Sequence, residues 1–103
     1  MKYVKPSKLD EKSIILDVRT PDEIYEEALA LPFLNAELSK LKPQEFVYDH
    51  NLDGSKTLHI ICHSGTRSLR AAEMFEKSGF FNVAVVDGGI VEAEKEGLRV
   101  IRH

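Results

Sequence analysis

The chain has a single cysteine, no tryptophan and no apolar stretch near the roughly 20 residues a membrane-spanning helix needs. One cysteine excludes an intramolecular disulfide and fits a reducing compartment, so a cytoplasmic location is expected. Neither sign of charge dominates. Fourteen Lys and Arg stand against 17 Asp and Glu, interspersed rather than blocked, for a net charge of −3. This balance argues against a nucleic-acid surface. Met1 opens onto a charged start without the apolar core of a secretory signal. No Cys/His cluster has metal-ligand spacing, so no metal site is expected. Repeats, linkers and low-complexity segments are also missing. What is present is an ordinary globular mix, 43% apolar and 30% charged. Its 103 residues predict one domain, residues 1–103, able to bury roughly two-thirds of its unfolded surface.

Apolar and helix-like runs alternate along this length. "SIILDV" (13–18), "TLHIIC" (57–62) and "NVAVVD" (82–87) are short and β-branched, as strands covered on both faces are. Tyr3 and Val4 add a candidate edge strand. "TPDEIYEEAL" (20–29) reads as a helix with Thr20 as N-cap, Pro21 at its first position and acids in its first turn. Pro43 opens another short helix within 42–50, and Asp53-Gly54-Ser55 marks a turn. Residues 68–78 place Leu69, Ala72 and Phe75 on one face ahead of a capping Gly79, and 89–97 form a last short helix. This rhythm predicts an α/β domain with a mainly parallel sheet and helices on both faces. The functional crevice of such a sheet lies at the carboxyl ends of its strands. Cys62, Asp17 to Arg19 and Asp87 to Gly89 all fall at such ends.

The segment "CHSGTR" (62–67) holds the lone cysteine. If Cys62 ends a strand and a helix starts near Arg67 or Ser68, the backbone between must curl tightly, and Gly65 permits the dihedrals required. Successive N–H groups in such a curl form an anion-binding nest. The helix adds its positive end and Arg67 a full charge. All three favour a negatively charged sulfur at position 62. Ser64, Thr66 and Ser68 are further candidate donors, and His63 a second cation when protonated. A buried cysteine acting as a small hydrophobe is the competing reading. It leaves Gly65, Arg67 and the helix start unexplained, and a nucleophile that forms a covalent intermediate accounts for all of them.

"CHSGTRS" resembles the active-site loop of rhodanese-fold sulfurtransferases. "ILDVRTPDEIY" (15–25) resembles the first signature of that family, and "VVDGGIVEAEKEGLRV" (85–100) its last. The resemblance covers nearly the whole chain. It implies a three-layer α/β/α fold with a mainly parallel central sheet of about five strands. It also implies ping-pong sulfur transfer without a metal or organic cofactor, with Cys62 held as a persulfide and the loop residues His63, Ser64, Gly65, Thr66 and Arg67 binding the transferred sulfur. The partners so implied are a small anionic donor such as thiosulfate, or a persulfide, and a thiol or cyanide acceptor, with a protein sulfur-transfer partner as a variant. Four residues separate Cys62 from Arg67. The related cell-cycle phosphatases and arsenate reductases carry one residue more, which widens the pocket for a tetrahedral anion. A persulfide carrier serving a partner enzyme, a small cysteine phosphatase and a thiol sensor are the alternatives.

Two positions depart from the family pattern. Ala28 and Leu29, within "ALALPF", stand where members commonly carry Gly and His, and Ala93 stands at a common tryptophan position. The first is read as additional core, the second as an opened rim or looser packing. Ser68, Asp17 and Arg19 are supporting residues, the last two read as a structural ion pair and helix cap. His59 is read as a satisfied core or interface histidine, and His50 and His103 as surface residues.

Overall fold

The computed structural model describes residues 1–103. Its strands are β1 (Lys2–Val4), β2 (Ile14–Asp17), β3 (Glu27–Leu29), β4 (Leu34–Asn35), β5 (Leu58–Ile61), β6 (Val83–Val86) and β7 (Val100–Arg102). The helices are α1 (Pro21–Glu26), α2 (Pro43–Asp49), α3 (Thr66–Lys77) and α4 (Gly89–Lys95), with 3-10 turns at Pro6–Lys8 and Leu38–Lys40. Five strands form one parallel sheet in the order β1-β6-β5-β2-β4. None of the helices is long and apolar enough to cross a membrane.

Alternation along the strands splits the core between the two sheet faces. Leu16, Leu58, Ile60, Val83 and Val85 point to one side, where Phe46 of α2 and Ala71, Ala72 and Phe75 of α3 cover them. Ile15, Ile61 and Val86 point to the other, against Ile90 and Ala93 of α4, Leu9 and Leu29. This is the three-layer arrangement expected from the sequence. Leu29 and Ala93 are both buried in the second cluster. Leu29 thus adds to the core and Leu31 and Phe33 pack against it, while Ala30 and Pro32 are exposed.

The difference from the sequence reading lies after Tyr25. The helix pattern of 20–29 extends through Leu29, yet α1 stops at Glu26 and residues 27–29 become β3, paired antiparallel with β7. The capping box that starts α1 is complete: Thr20 Oγ1 accepts from the Glu23 N–H, and the Glu23 carboxylate accepts from the Thr20 N–H. Six residues give little helical cooperativity. The β3 segment instead gains ladder bonds, an Arg102–Glu27 ion pair and burial of Leu29.

Because β2, β5 and β6 run parallel in adjacent register, Asp17, Ile61 and Val86 finish at the same sheet edge. The next residues in each chain segment therefore converge there, and among them is Cys62.

Candidate active site

Cys62 leaves β5 and is buried, 1% exposed. Gly65 then adopts φ +118° as the N-cap of α3, a left-handed backbone that glycine reaches without a Cβ penalty. The curl aims peptide hydrogens at the sulfur. The Gly65 N–H donates to Cys62 Sγ at 3.0 Å and the Ser68 N–H at 3.4 Å. The N–H groups of His63, Ser64, Thr66 and Arg67 meet no acceptor within the chain. The loop thus presents a ring of six peptide N–H groups, two bonded to the sulfur and four unengaged, an arrangement able to stabilise charge on a transferring group.

The helix N-terminus of α4 holds this ring from behind. The Ile90 N–H donates to the Cys62 carbonyl at 2.9 Å and the Val91 N–H to the His63 carbonyl at 3.2 Å. Gly89 makes that approach possible, since a Cβ there would sit 2.4 Å from the Cys62 carbonyl oxygen and 2.6 Å from that of His63. The Gly-Gly-Ile segment is therefore a buttress for the loop. Its role is invisible in sequence because it depends on a contact with a strand end 27 positions earlier, between 62 and 89.

The side chains of the loop behave differently from the sequence expectation. Ser64 and Thr66 are exposed and make no hydrogen bond, and Ser68 Oγ donates to the Gly65 carbonyl at 2.9 Å. With its proton so committed, Ser68 faces the sulfur at 3.4 Å as the acceptor of the thiol proton. His63 is exposed. Arg67 donates to Glu23 alone, Nη1 to Oε1 at 2.7 Å and Nη2 to Oε2 at 2.8 Å. Glu23, the N3 residue of the α1 capping box, was not among the sequence candidates. The T-x-x-E spacing from Thr20 marks its capping role, but its pairing with an arginine 44 residues away is tertiary.

The hydrogen bonds from Arg67 hold the Glu23 carboxyl down at about 2, against an ordinary 4.5. Glu23 raises Arg67 in return. A depressed carboxyl stabilises the fold above its unfolded value. The contribution of this pair is thus complete above pH 4.5 and lost as the pH falls towards 2.

Asp17 and Arg19 form the second charged pair, and both are buried. Arg19 Nη2 meets Asp17 Oδ2 at 2.9 Å and the Glu27 carbonyl at 2.8 Å, while the Arg19 N–H donates to Asp17 Oδ1 at 2.9 Å. Asn35 Nδ2 bridges the carbonyls of Asp17 and Arg19. These contacts fix the β2 edge and the start of β3, and none reaches Cys62. Arg19→Ala would strand a buried carboxylate. It is expected to lower the unfolding free energy by about 3–5 kcal/mol, read from denaturant midpoints at constant m. A change below about 1 kcal/mol, the range of exposed pairs, would deny the pair this role. His59 in β5 is half-buried with Nδ1 3.2 Å from the Ile14 carbonyl, and burial pushes its pKa down, as befits a satisfied sheet residue.

The largest cleft, about 510 Å³, lies at the far end of α3 from the loop, between Tyr48, Leu52 and Phe80. A second, about 470 Å³, opens beside Arg67 and includes Thr20, Ser39, Arg70 and Met74. Concavity alone would choose the first. Cys62 and its two donors, Gly65 and Ser68, line neither cleft and make the stronger candidate site.

A parallel α/β domain that places one cysteine on a loop of peptide donors at a strand end offers a candidate site for thiol chemistry. The model of the rhodanese-like domain matches residues 4–96, and the chain belongs to that family. It is 30% identical over 95 residues to a protein of Allochromatium vinosum named "Sulfurtransferase", covering 88% of this chain and 80% of that one. It is 36% identical over 81 residues to a Bacillus subtilis protein named "Putative sulfur carrier protein", covering 79% of this chain but only 41% of that longer relative. A crystal structure of a rhodanese-related protein from Thermoplasma volcanium superposes with a TM-score of 0.79 at 29% identity, covering 98% of each chain.

Proposed function

We propose that the protein transfers sulfane sulfur through a persulfide on Cys62. The thiolate attacks the outer sulfur of thiosulfate or of a persulfide. A bond forms between Sγ and that sulfur as its old bond breaks, and the electron pair departs on sulfite or on the donor thiolate. An acceptor thiolate or cyanide then attacks the same outer sulfur, and the electron pair of the S–S bond returns to Sγ. The outer sulfur of the intermediate is an anion, and His63, Ser64, Gly65, Thr66 and Arg67 would bind it through their peptide N–H groups. One observation carries this reading: Sγ at the focus of the Gly65 and Ser68 N–H groups, with four more loop N–H groups unengaged.

Intact mass spectrometry tests it directly. Treatment with thiosulfate or cysteine persulfide is expected to add one sulfur atom, and subsequent cyanide to remove it with release of thiocyanate. A protein that stays at its starting mass with both donors refutes the proposal. A second reading, a carrier loaded by a partner enzyme, is favoured by the name of the Bacillus subtilis relative. Steady turnover of thiosulfate and cyanide supports the enzyme, and a single loading without turnover supports the carrier. The four-residue spacing from Cys62 to Arg67 supports sulfur over phosphate as the transferred group, so no hydrolysis of phenyl phosphate is expected.

A further inference from the structure

We infer that Glu23 is a specificity-determining residue: by taking both arms of Arg67, it leaves the loop without an uncompensated cation and biases it towards organic persulfides over dianionic thiosulfate. The inference rests on Cys62 being the sulfur acceptor.

Both terminal nitrogens of Arg67 are spent on one carboxylate at 2.7 and 2.8 Å, and Arg67 donates to no other atom. The two side chains are only about one-third exposed, 34% and 35%, so water screens the pair incompletely. Glu23 is itself held in place, its Oε1 receiving the Thr20 N–H at 3.1 Å and the Thr20 hydroxyl at 3.2 Å. The carboxylate therefore stays fixed and ionised at any working pH. Apart from Cys62 and Arg67, the only ionisable side chain in the loop is His63, which is exposed. Arg70, one turn further along α3, has no carboxylate partner but is exposed to solvent. The Asp17–Arg19 pair is internally neutral.

Peptide dipoles thus provide the attraction for the incoming group. They suit a single sulfur anion. Thiosulfate brings two negative charges towards a thiolate, and an additional free cation would be needed to offset the second. An organic persulfide brings at most one on its sulfur. In either case the same exchange occurs: the bond from Sγ to the outer sulfur forms, and the leaving group carries away the electron pair as sulfite or as a thiolate.

Glu23→Gln isolates the charge, because glutamine at the same position preserves the capping box of α1. Single-turnover loading of Cys62, followed by intact mass, is measured with thiosulfate and with cysteine persulfide. Glu23→Gln is expected to raise the thiosulfate rate constant roughly five- to tenfold, the scale of one partly screened charge, and to change the persulfide rate less than about twofold. High salt is expected to shrink the gain. Arg67→Ala leaves Glu23 uncompensated and is expected to move the thiosulfate-to-persulfide ratio the opposite way. The double variant, neutral again, is expected to return it to within about twofold of the parent. A ratio that is unmoved by Glu23→Gln, or that moves the same way in both single variants, overturns the inference while leaving sulfur transfer intact. Failure of the unaltered protein to load from either donor removes both.

Discussion

Cys62→Ser is expected to abolish sulfur loading from every donor and to reduce thiocyanate formation to the uncatalysed rate. Serine fits the space, and its oxygen can accept from the Gly65 and Ser68 N–H groups that now face Sγ. The fold should therefore persist, with a change in stability within about 1–2 kcal/mol. What serine lacks is a polarisable sulfur nucleophile that can bond to another sulfur. The variant separates chemistry from scaffold: loss of the added mass together with an unchanged circular dichroism spectrum and near-native melting supports a persulfide at position 62. Undiminished transfer in a folded Cys62→Ser protein would place the chemistry elsewhere, and no other cysteine exists in the chain to receive it.

This division of labour between backbone and side chains runs through the site. Its two charged pairs, Asp17–Arg19 and Glu23–Arg67, each neutralise themselves. The first is buried and ties β2 to the start of β3. The second ties the N-terminus of α1 to the first turn of α3. Neither donates a hydrogen bond to Sγ, which is served by peptide hydrogens alone. Fixed dipoles need no reorganisation when charge moves from one sulfur to the next. A flexible guanidinium already bound to a carboxylate serves better as a brace than as a ligand.

The sheet was readable from the sequence because strands buried on both faces leave an unbroken β-branched signature, as in 13–18, 57–62 and 82–87. The position of Cys62 followed from the same pattern, since a cysteine after such a run must lie at a strand end. Gly65 announced the turn. The β3–β7 ribbon did not show, because three residues per strand are too few to establish a period and Glu27 to Leu29 continue a helical one. The partners of the loop were also hidden. Arg67 reads as a free cation until the fold brings Glu23 against it, and Ser68 as a donor to sulfur until the Gly65 carbonyl claims its proton. Spacing locates a functional loop; it does not say which of its polar groups are already engaged.

Gly89→Ala carries the second large effect, and it tests the buttress rather than the nucleophile. At φ +61° an alanine is strained on its own account, by about 1–2 kcal/mol. The greater difficulty is the added carbon, 2.4 Å from the Cys62 carbonyl oxygen, 2.6 Å from that of His63 and 2.7 Å from its carbonyl carbon. All three are backbone atoms, so no side chain can swing aside. Relief requires α4 or the loop to move, and the loop is the shorter and less packed of the two. Its displacement would break the Ile90 and Val91 N–H bonds to the carbonyls of Cys62 and His63 and turn the donor ring off the sulfur. Misplacement on the scale of 1 Å is expected to lower the loading rate about a hundredfold. Gly97→Ala supplies the control: its φ is +94°, so it carries comparable strain, but no atom lies within 4 Å of the added carbon. It is expected to lose stability and keep its loading rate. Equal loss of loading in the two variants would attribute the effect to strain in general. Unimpaired loading in Gly89→Ala would mean that the donor ring keeps its aim without the close contact between α4 and the loop.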